Sequence, residues 1–363
     1  MTSPLHQLHD AGQSIWLDYI DRSILKNGDL ARRIKDDALT GMTSNPSIFE
    51  KALAEGTAYD DQIRGAPRSP TAMQLFELVE TTDVRDACDI FRGVHEQSKG
   101  ADGFVSIEVS PGAANDMRAT VAEAERLWAT VKRPNVMIKI PGTAEGAKAV
   151  ERTIAAGINV NITLLFAIEA YASVIEAYMQ GLEERVKAGK DLSAIHSVAS
   201  FFVSRVDSEV DKRLGANDAL KGKAATANAK LAYDLFKKQT ATPRWKALAA
   251  KGASVQRPLW ASTSTKNPAY RDTMYVVDLV APGVVNTMPE KTLDATADHG
   301  EVTGDTITGH YADAQKLLDD LAALGISYND VVQLLEVEGV DKFEQAWGGL
   351  LETVTANLEK AAK

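Results

Sequence analysis

Three ionisable side chains stand in stretches whose other residues belong in a core. Lys139 lies in Val136-Met137-Ile138-Lys139-Ile140-Pro141-Gly142, an apolar, β-branched run closed by a Pro-Gly breaker, the pattern of a buried strand that ends in a loop. Asp18 lies in Ser14-Ile15-Trp16-Leu17-Asp18-Tyr19-Ile20, and Glu108 in the alternating Phe104-Val105-Ser106-Ile107-Glu108-Val109-Ser110. An ammonium withdrawn from water loses its hydration, which favours the free amine, the form that attacks a carbonyl and closes an imine. The chemistry open to Lys139 is therefore Schiff-base formation; the alternative is a lysine at a strand end whose head reaches water past Pro141. Asp18 is either an acid held by backbone donors at the end of its strand or a catalytic carboxylate.

Neutral polar groups recur in similar settings. Thr43 and Asn45 are two apart in Leu39-Thr40-Gly41-Met42-Thr43-Ser44-Asn45-Pro46-Ser47, with Pro46 stopping the strand and Ser47 a candidate cap for a helix over Ile48 to Glu55. In Gly157-Ile158-Asn159-Val160-Asn161-Ile162-Thr163-Leu164-Leu165-Phe166, alternation puts Asn159, Asn161 and Thr163 on one face, an arrangement suited to a hydroxylated ligand. Ser200, Phe202 and Ser204 share a parity that Arg205 breaks, so Arg205 is expected in the loop after its strand. Lys266 stands at the polar exit of Arg257-Pro258-Leu259-Trp260-Ala261-Ser262-Thr263.

The elements that must hold these residues alternate. Short helices are expected over Leu8 to Gly12 and Leu25 to Ile34. Residues 57 to 99 read as mainly helical, with Cys88 among their apolar positions, followed by helices at Ala114–Trp128, Ala144–Ala156 and Ala167–Lys187. Helical sequence from Val206 to Lys251, broken near Gly215 and Pro243, precedes the last two strands, the second of them Gly283–Met288. Three amphipathic helices close the chain, Ala312–Leu324, Ser327–Glu336 and Lys342–Lys360, with Ser327 as a cap. Eight strands separated by helices predict an α/β chain folded as a parallel (β/α)8 TIM barrel. It is expected as a single domain over residues 1–363, with a helical extension over 310–363 packed on or across the barrel. In such barrels the C-terminal strand ends carry the chemistry, and Asp18, Asn45, Glu108, Lys139, Asn161, Thr163 and Ser200 all occur in that setting.

Bulk properties narrow the partners. A net charge of −10 argues against nucleic acid or an anionic membrane, and it requires that any anionic ligand meet cations placed locally. No apolar run approaches the length of a membrane helix, and the start of the chain lacks a basic flank followed by an apolar core, so a cytoplasmic protein is expected. Cys88 alone cannot form an internal disulfide. The six histidines, His6, His9, His95, His196, His299 and His310, show no HxH or HExxH spacing. Neither a metal site nor a nucleotide fingerprint is found, and no cofactor is expected. A homodimer is compatible with the chain.

Taken together, Thr43-Ser44-Asn45-Pro46-Ser47, Ser106-Ile107-Glu108-Val109, Met137-Ile138-Lys139-Ile140, Gly157 to Phe166 and Ser200-Phe201-Phe202-Val203-Ser204-Arg205 resemble the transaldolases, specifically the longer bacterial type, over roughly residues 12 to 355. The resemblance implies transfer of dihydroxyacetone from fructose 6-phosphate or sedoheptulose 7-phosphate to an aldose phosphate, in the non-oxidative pentose phosphate pathway. It implies that Lys139 forms the imine, that Asp18 takes the C4 hydroxyl proton, and that Glu108 with Thr163 holds a proton-shuttling water. It further implies that Thr43, Asn45, Asn161, Ser200 and Phe202 surround the donor and that Arg205 holds the phosphate. The second phosphate cation, an arginine in the shorter branch, matches Lys266. The extra length lies mostly in 57 to 99 and 206 to 251, and no fused isomerase domain is expected. Fructose 6-phosphate aldolases share the lysine but carry glutamine where Glu108 stands and tyrosine where Phe202 stands, which favours a transferase. A barrel that only binds sugar phosphates would not need Lys139 buried beside two carboxylates.

Overall fold

The computed structural model describes residues 3–55, 57–66, 70–215 and 218–361. Eight parallel strands close into a barrel in sequence order. They are β1 (Ser14–Asp18), β2 (Leu39–Thr43), β3 (Phe104–Glu108), β4 (Val136–Pro141), β5 (Val160–Leu165), β6 (Ser197–Phe202), β7 (Gln256–Ala261) and β8 (Val285–Met288). Each is nearly all buried, because helices cover the outside and side chains fill the inside. The two faces are legible in β4: Val136, Ile138 and Ile140 join the large core under the helices, whereas Met137 joins a second cluster inside the barrel with Trp16, Phe104, Val198, Leu259 and Val285. Gly41 on β2 makes room for that plug, since a Cβ there would collide with the Trp16 indole.

This plug sets the floor of the site. Two residues after each apolar plug residue, with side chains of the same parity, come Asp18 after Trp16, Lys139 after Met137 and Ser200 after Val198. Phe104 on β3 is followed by Ser106 and then Glu108. The strand register sets Asp18 opposite Thr43, Glu108 opposite Lys139, and Lys139 opposite Asn161.

Several expected boundaries shift. The lead-in helix is Pro4–Asp10, and the helix expected over Leu25–Ile34 is two, Arg22–Lys26 and Asp29–Asp36, parted by Gly28 at φ 87°. Asn45, not Ser47, caps the helix Pro46–Ala54: its Oδ1 accepts from the Ile48 N–H at 3.1 Å, and Pro46 occupies the first turn, where no N–H is needed. The stretch from 57 to 99 holds helices Asp60–Arg64, Ala72–Ile90 and Arg92–Gln97; its residues 67–69 lie outside the described ones. The helix expected over Ala114–Trp128 runs over Met117–Val131 behind an Asp116 cap. Short helices at Met274–Val277 and Glu290–His299 were not anticipated. The two helices expected after Ser327 are one, Tyr328–Ala361, capped as expected by Ser327 Oγ. Among the described residues no helix is long and apolar enough to cross a membrane.

Candidate active site

At the C-terminal mouth of the barrel a cavity of about 320 Å³ is lined by Lys139, Asp18 and Glu108 together. Lys139 is 7 % exposed, and its Nζ donates to Glu108 Oε2 and to the Ser44 carbonyl, each at 3.2 Å. Burial raises the pKa of Glu108; Lys139 opposes the shift and Asp18 adds to it. The pKa of Asp18 is also raised by burial, against the pull of Lys139, Thr43 and Lys266. Thr43 Oγ1 donates to Asp18 Oδ1 at 2.8 Å and lies 2.7 Å from Thr287 Oγ1. Because Thr43 has one hydroxyl proton, Thr287 must be the donor in the second contact. The site therefore holds one amine between two carboxyl groups, each more prone to carry a proton than an exposed acid.

Behind Lys139 a chain of neutral hydrogen bonds runs across three strands. Ser200 Oγ donates to Asn161 Oδ1 at 2.7 Å, and Asn161 Nδ2 donates to Ser106 Oγ at 2.9 Å. Asn161 is fully buried and stands one layer behind the cavity, whereas Ser200 and Thr163 line it. Asn159 shares the parity of Asn161 but lies near the opposite end of the barrel, donating to the Pro134 and Val136 carbonyls and accepting from the His196 N–H. The expected row of three ligand-facing groups is thus reduced, because Asn159 precedes β5 and serves the backbone. Asn45 lines the cavity too, and its capping bond uses the amide oxygen, leaving the N–H donors for an occupant.

The cations lie farther out. Arg205 belongs to the first turn of the helix Ser204–Leu214 rather than to a loop. Its guanidinium sits 5.4 Å over the Phe202 ring and has no hydrogen bond or ion pair among the described residues. Burial lowers its pKa. Lys266 lines the same cavity, and its Nζ donates to Ser264 Oγ at 2.6 Å. Its pKa is lowered by loss of solvent and by Arg205. The two cations are therefore close enough to repel, an arrangement that an anion between them would relieve. Among the described residues, no group of three or more His, Cys, Asp or Glu side chains could hold a metal ion.

A family model described as Transaldolase/Fructose-6-phosphate aldolase matches residues 15–354. The chain belongs to the transaldolase/fructose-6-phosphate aldolase family. It is 54 % identical over 368 residues to the transaldolase of Acidothermus cellulolyticus, covering all of this chain and 99 % of that one. It is 55 % identical over 370 residues to the transaldolase of an Arthrobacter species, end to end in both. The transaldolase of Thermobifida fusca is 54 % identical over 364 residues, 99 % of each chain.

Of the residues singled out from the sequence, Asp18, Thr43, Asn45, Glu108, Lys139, Thr163, Ser200, Phe202, Arg205 and Lys266 line the transaldolase-family cavity, and Asn161 backs it. Sequence reasoning missed Ser262, Ser264, Thr287, Lys342 and Phe343 in the wall. Ser262 holds a left-handed backbone at φ 55° and bonds Ser204 Oγ at 2.9 Å, a loop conformation that nothing in Ala261-Ser262-Thr263 announces. Lys342 and Phe343 come from the last helix, whose path over the mouth is a matter of tertiary packing.

Proposed function

We infer that this chain is a transaldolase that moves a dihydroxyacetone unit from a ketose phosphate to an aldose phosphate through an imine on Lys139. The observation that carries the reading is the buried Lys139 Nζ, 3.2 Å from Glu108 Oε2 in the cavity that Asp18 also lines. The amine adds to the donor's C2 carbonyl. Glu108, with its pKa raised, supplies the proton that lets water leave, and a water held between Glu108 and Thr163 relays it. Asp18 then removes the C4 hydroxyl proton, the C3–C4 bond breaks, and its electron pair is taken up by the imine as an enamine. The shortened aldose leaves, the acceptor aldehyde enters, and the enamine attacks it as Asp18 returns the proton. Hydrolysis of the new imine frees the product and Lys139.

Arg205 and Lys266 hold the phosphate. Thr43, Asn45 and Ser200 meet the donor's hydroxyls and Phe202 packs against it, while Asn161 orients Ser200 from behind. The alternative outcome, release of free dihydroxyacetone by a fructose 6-phosphate aldolase, is disfavoured by Glu108 and Phe202, the two positions at which those relatives carry glutamine and tyrosine. Residues 1–363 are read as one barrel domain working in the cytoplasm, with a helical extension over 310–363 whose last helix reaches the cavity wall through Lys342 and Phe343. Borohydride reduction in the presence of fructose 6-phosphate, followed by peptide mapping, is the test: a three-carbon adduct on Lys139 is expected, and an adduct elsewhere or none refutes the mechanism.

A further inference from the structure

The last helix contributes groups that this mechanism does not use. Gly339, Lys342, Phe343 and Ala346 all line the cavity, and steps of three and four residues put them on one face of the helix Tyr328–Ala361. That face is set close against the barrel rim. A Cβ at Gly339 would lie 3.3 Å from the side-chain ends of Leu164 and Phe166, a tight contact that glycine avoids, and Lys342, on the next turn, lines the mouth. Lys342 Nζ donates to Glu338 Oε2 at 2.7 Å. Glu338 also helps to keep Arg205 charged. One carboxylate on the helix therefore pairs with the cation beside it and acts on the barrel cation only through its field.

We propose that Lys342 is a third phosphate-directed residue that sets specificity for phosphorylated sugars, with Glu338 as the internal counter-ion that occupies its ammonium until substrate arrives. The proposal rests on the transaldolase reading, because a sugar phosphate is what displaces the carboxylate. A phosphate carries nearly two charges and three acceptor oxygens, so it outcompetes a single carboxylate for Arg205 and Lys342. The Glu338–Lys342 pair is half-exposed on one helix face, at 41 % and 54 %, and pairs of that kind are weak enough to exchange. A lysine suits this task because its flexible stem lets the ammonium swing from Glu338 to an occupant below.

The test compares the parent enzyme with Lys342→Gln and Glu338→Gln, using fructose 6-phosphate and fructose as donors and unphosphorylated erythrose as acceptor, so that sedoheptulose is the product from either donor. Lys342→Gln should lower the ratio of kcat/KM for fructose 6-phosphate to that for fructose about fivefold and weaken competitive inhibition by inorganic phosphate. Glu338→Gln should move both in the other direction, about twofold, because a competitor for the cations has gone. A helix pair that matters only for folding would instead shift both variants the same way, together with their Tm. A ratio unchanged in Lys342→Gln, or a parallel fall in both variants, overturns the proposal. If the parent itself shows no borohydride-trapped adduct on Lys139, the reading of the site fails, which is a separate result from an active parent with an indifferent Lys342.

Discussion

The two ends of the barrel are both rich in buried polar side chains, but at one end the ionisable groups are tied to one another and at the other they face a cavity. At the N-terminal end Asp102 accepts from Ser14 Oγ and from Trp16 Nε1, and Arg257 stands 3.7 Å away while also donating to the Gly283 and Val284 carbonyls. Asn159 is bonded through both halves of its amide, and burial pushes His196 down to about 4, so it is neutral near neutral pH. At the C-terminal end Arg205 has no bonding partner among the described residues, Asn45 has donors to spare, and two acids are pushed toward their protonated forms. Burial of polar groups is common to both ends. Both ends leave some capacity unused, since the Gln13 amide, Asn135 Oδ1 and Gln256 Oε1 at the N-terminal strand starts are buried without a partner among the described residues; what marks the end that does chemistry is that its unpaired cation and its two shifted acids line one cavity.

Matched substitutions at the two ends give the sharpest test. Lys139→Gln removes the nucleophile and should reduce transfer by on the order of 10⁴-fold or more, and Asp18→Asn by about 10²–10⁴-fold, as for loss of a general base. Asp102→Asn at the other end should instead cost about 1–3 kcal/mol of stability by weakening a buried network, with kcat little changed. Denaturant unfolding and steady-state rates on the three variants separate these outcomes. A large loss of kcat in Asp102→Asn at unchanged stability would break the contrast between the ends.

A second, smaller effect concerns the free cation. Arg205→Ala should weaken use of fructose 6-phosphate relative to fructose by about 1.5–3 kcal/mol, the worth of a charge-assisted bond, which is roughly 10- to 150-fold in kcat/KM. Lys266→Ala should follow the same pattern more weakly, since an ammonium acts as a point charge without the bidentate fork. Equal losses on both sugars would make Arg205 a structural residue and would mean that spare bonding capacity at this end is not aimed at phosphate.

Glu80 complicates the contrast, because it is a buried acid outside the cavity wall. It is 4 % exposed in the helix Ala72–Ile90, and burial, reinforced by Glu108, Glu123 and Glu77, raises its pKa well above the usual 4.5. Above about pH 4.5 the unfolded chain releases a proton that the folded protein keeps, so this residue makes stability fall as pH rises. Glu80→Gln should match the parent near pH 4 and exceed it in unfolding free energy by a margin that grows toward pH 8. A margin that is flat or shrinking with pH would show that Glu80 is ionised in the fold.

Much of this was legible in the sequence because strand parity is a local property. The run around Lys139 carries its own burial signal, and the alternation of β3 and β5 predicts which side chains turn inward. Parity does not say at which end of a strand a residue lies, so Asn159 and Asn161 look equivalent in sequence and are not in space. The cap at Asn45 was missed because a strand signal overrode the Asn-Pro helix start. The continuous helix Tyr328–Ala361 was divided at Gly339, where a residue that weakens an isolated helix is kept for its close approach to the barrel. The seat of Lys342 over the mouth is set by tertiary packing of this helix on the barrel and could not be read from periodicity.

The smallest expected effect tests how finely the satisfied and unsatisfied groups are divided at the active end. Phe202 shares the inward parity of Ser200 on β6, packs 5.2 Å from Phe166, lies under Arg205 and lines the cavity with Lys139. Phe202→Tyr adds one hydroxyl there. If it reaches the enamine or a water beside it, it should help water compete with the acceptor, raising release of free dihydroxyacetone relative to transfer by a few-fold, on the scale of one ordinary hydrogen bond. If the ring is only barrel packing, the hydroxyl is left without a partner, and both activities should fall together with Tm. Measuring free dihydroxyacetone against sedoheptulose 7-phosphate formed from fructose 6-phosphate and erythrose 4-phosphate distinguishes the two. A rise in the ratio at near-parental Tm would mean that a single hydroxyl in this wall biases the enamine between water and sugar, so that the aromatic character of Phe202 is part of how the site keeps its intermediate for the acceptor.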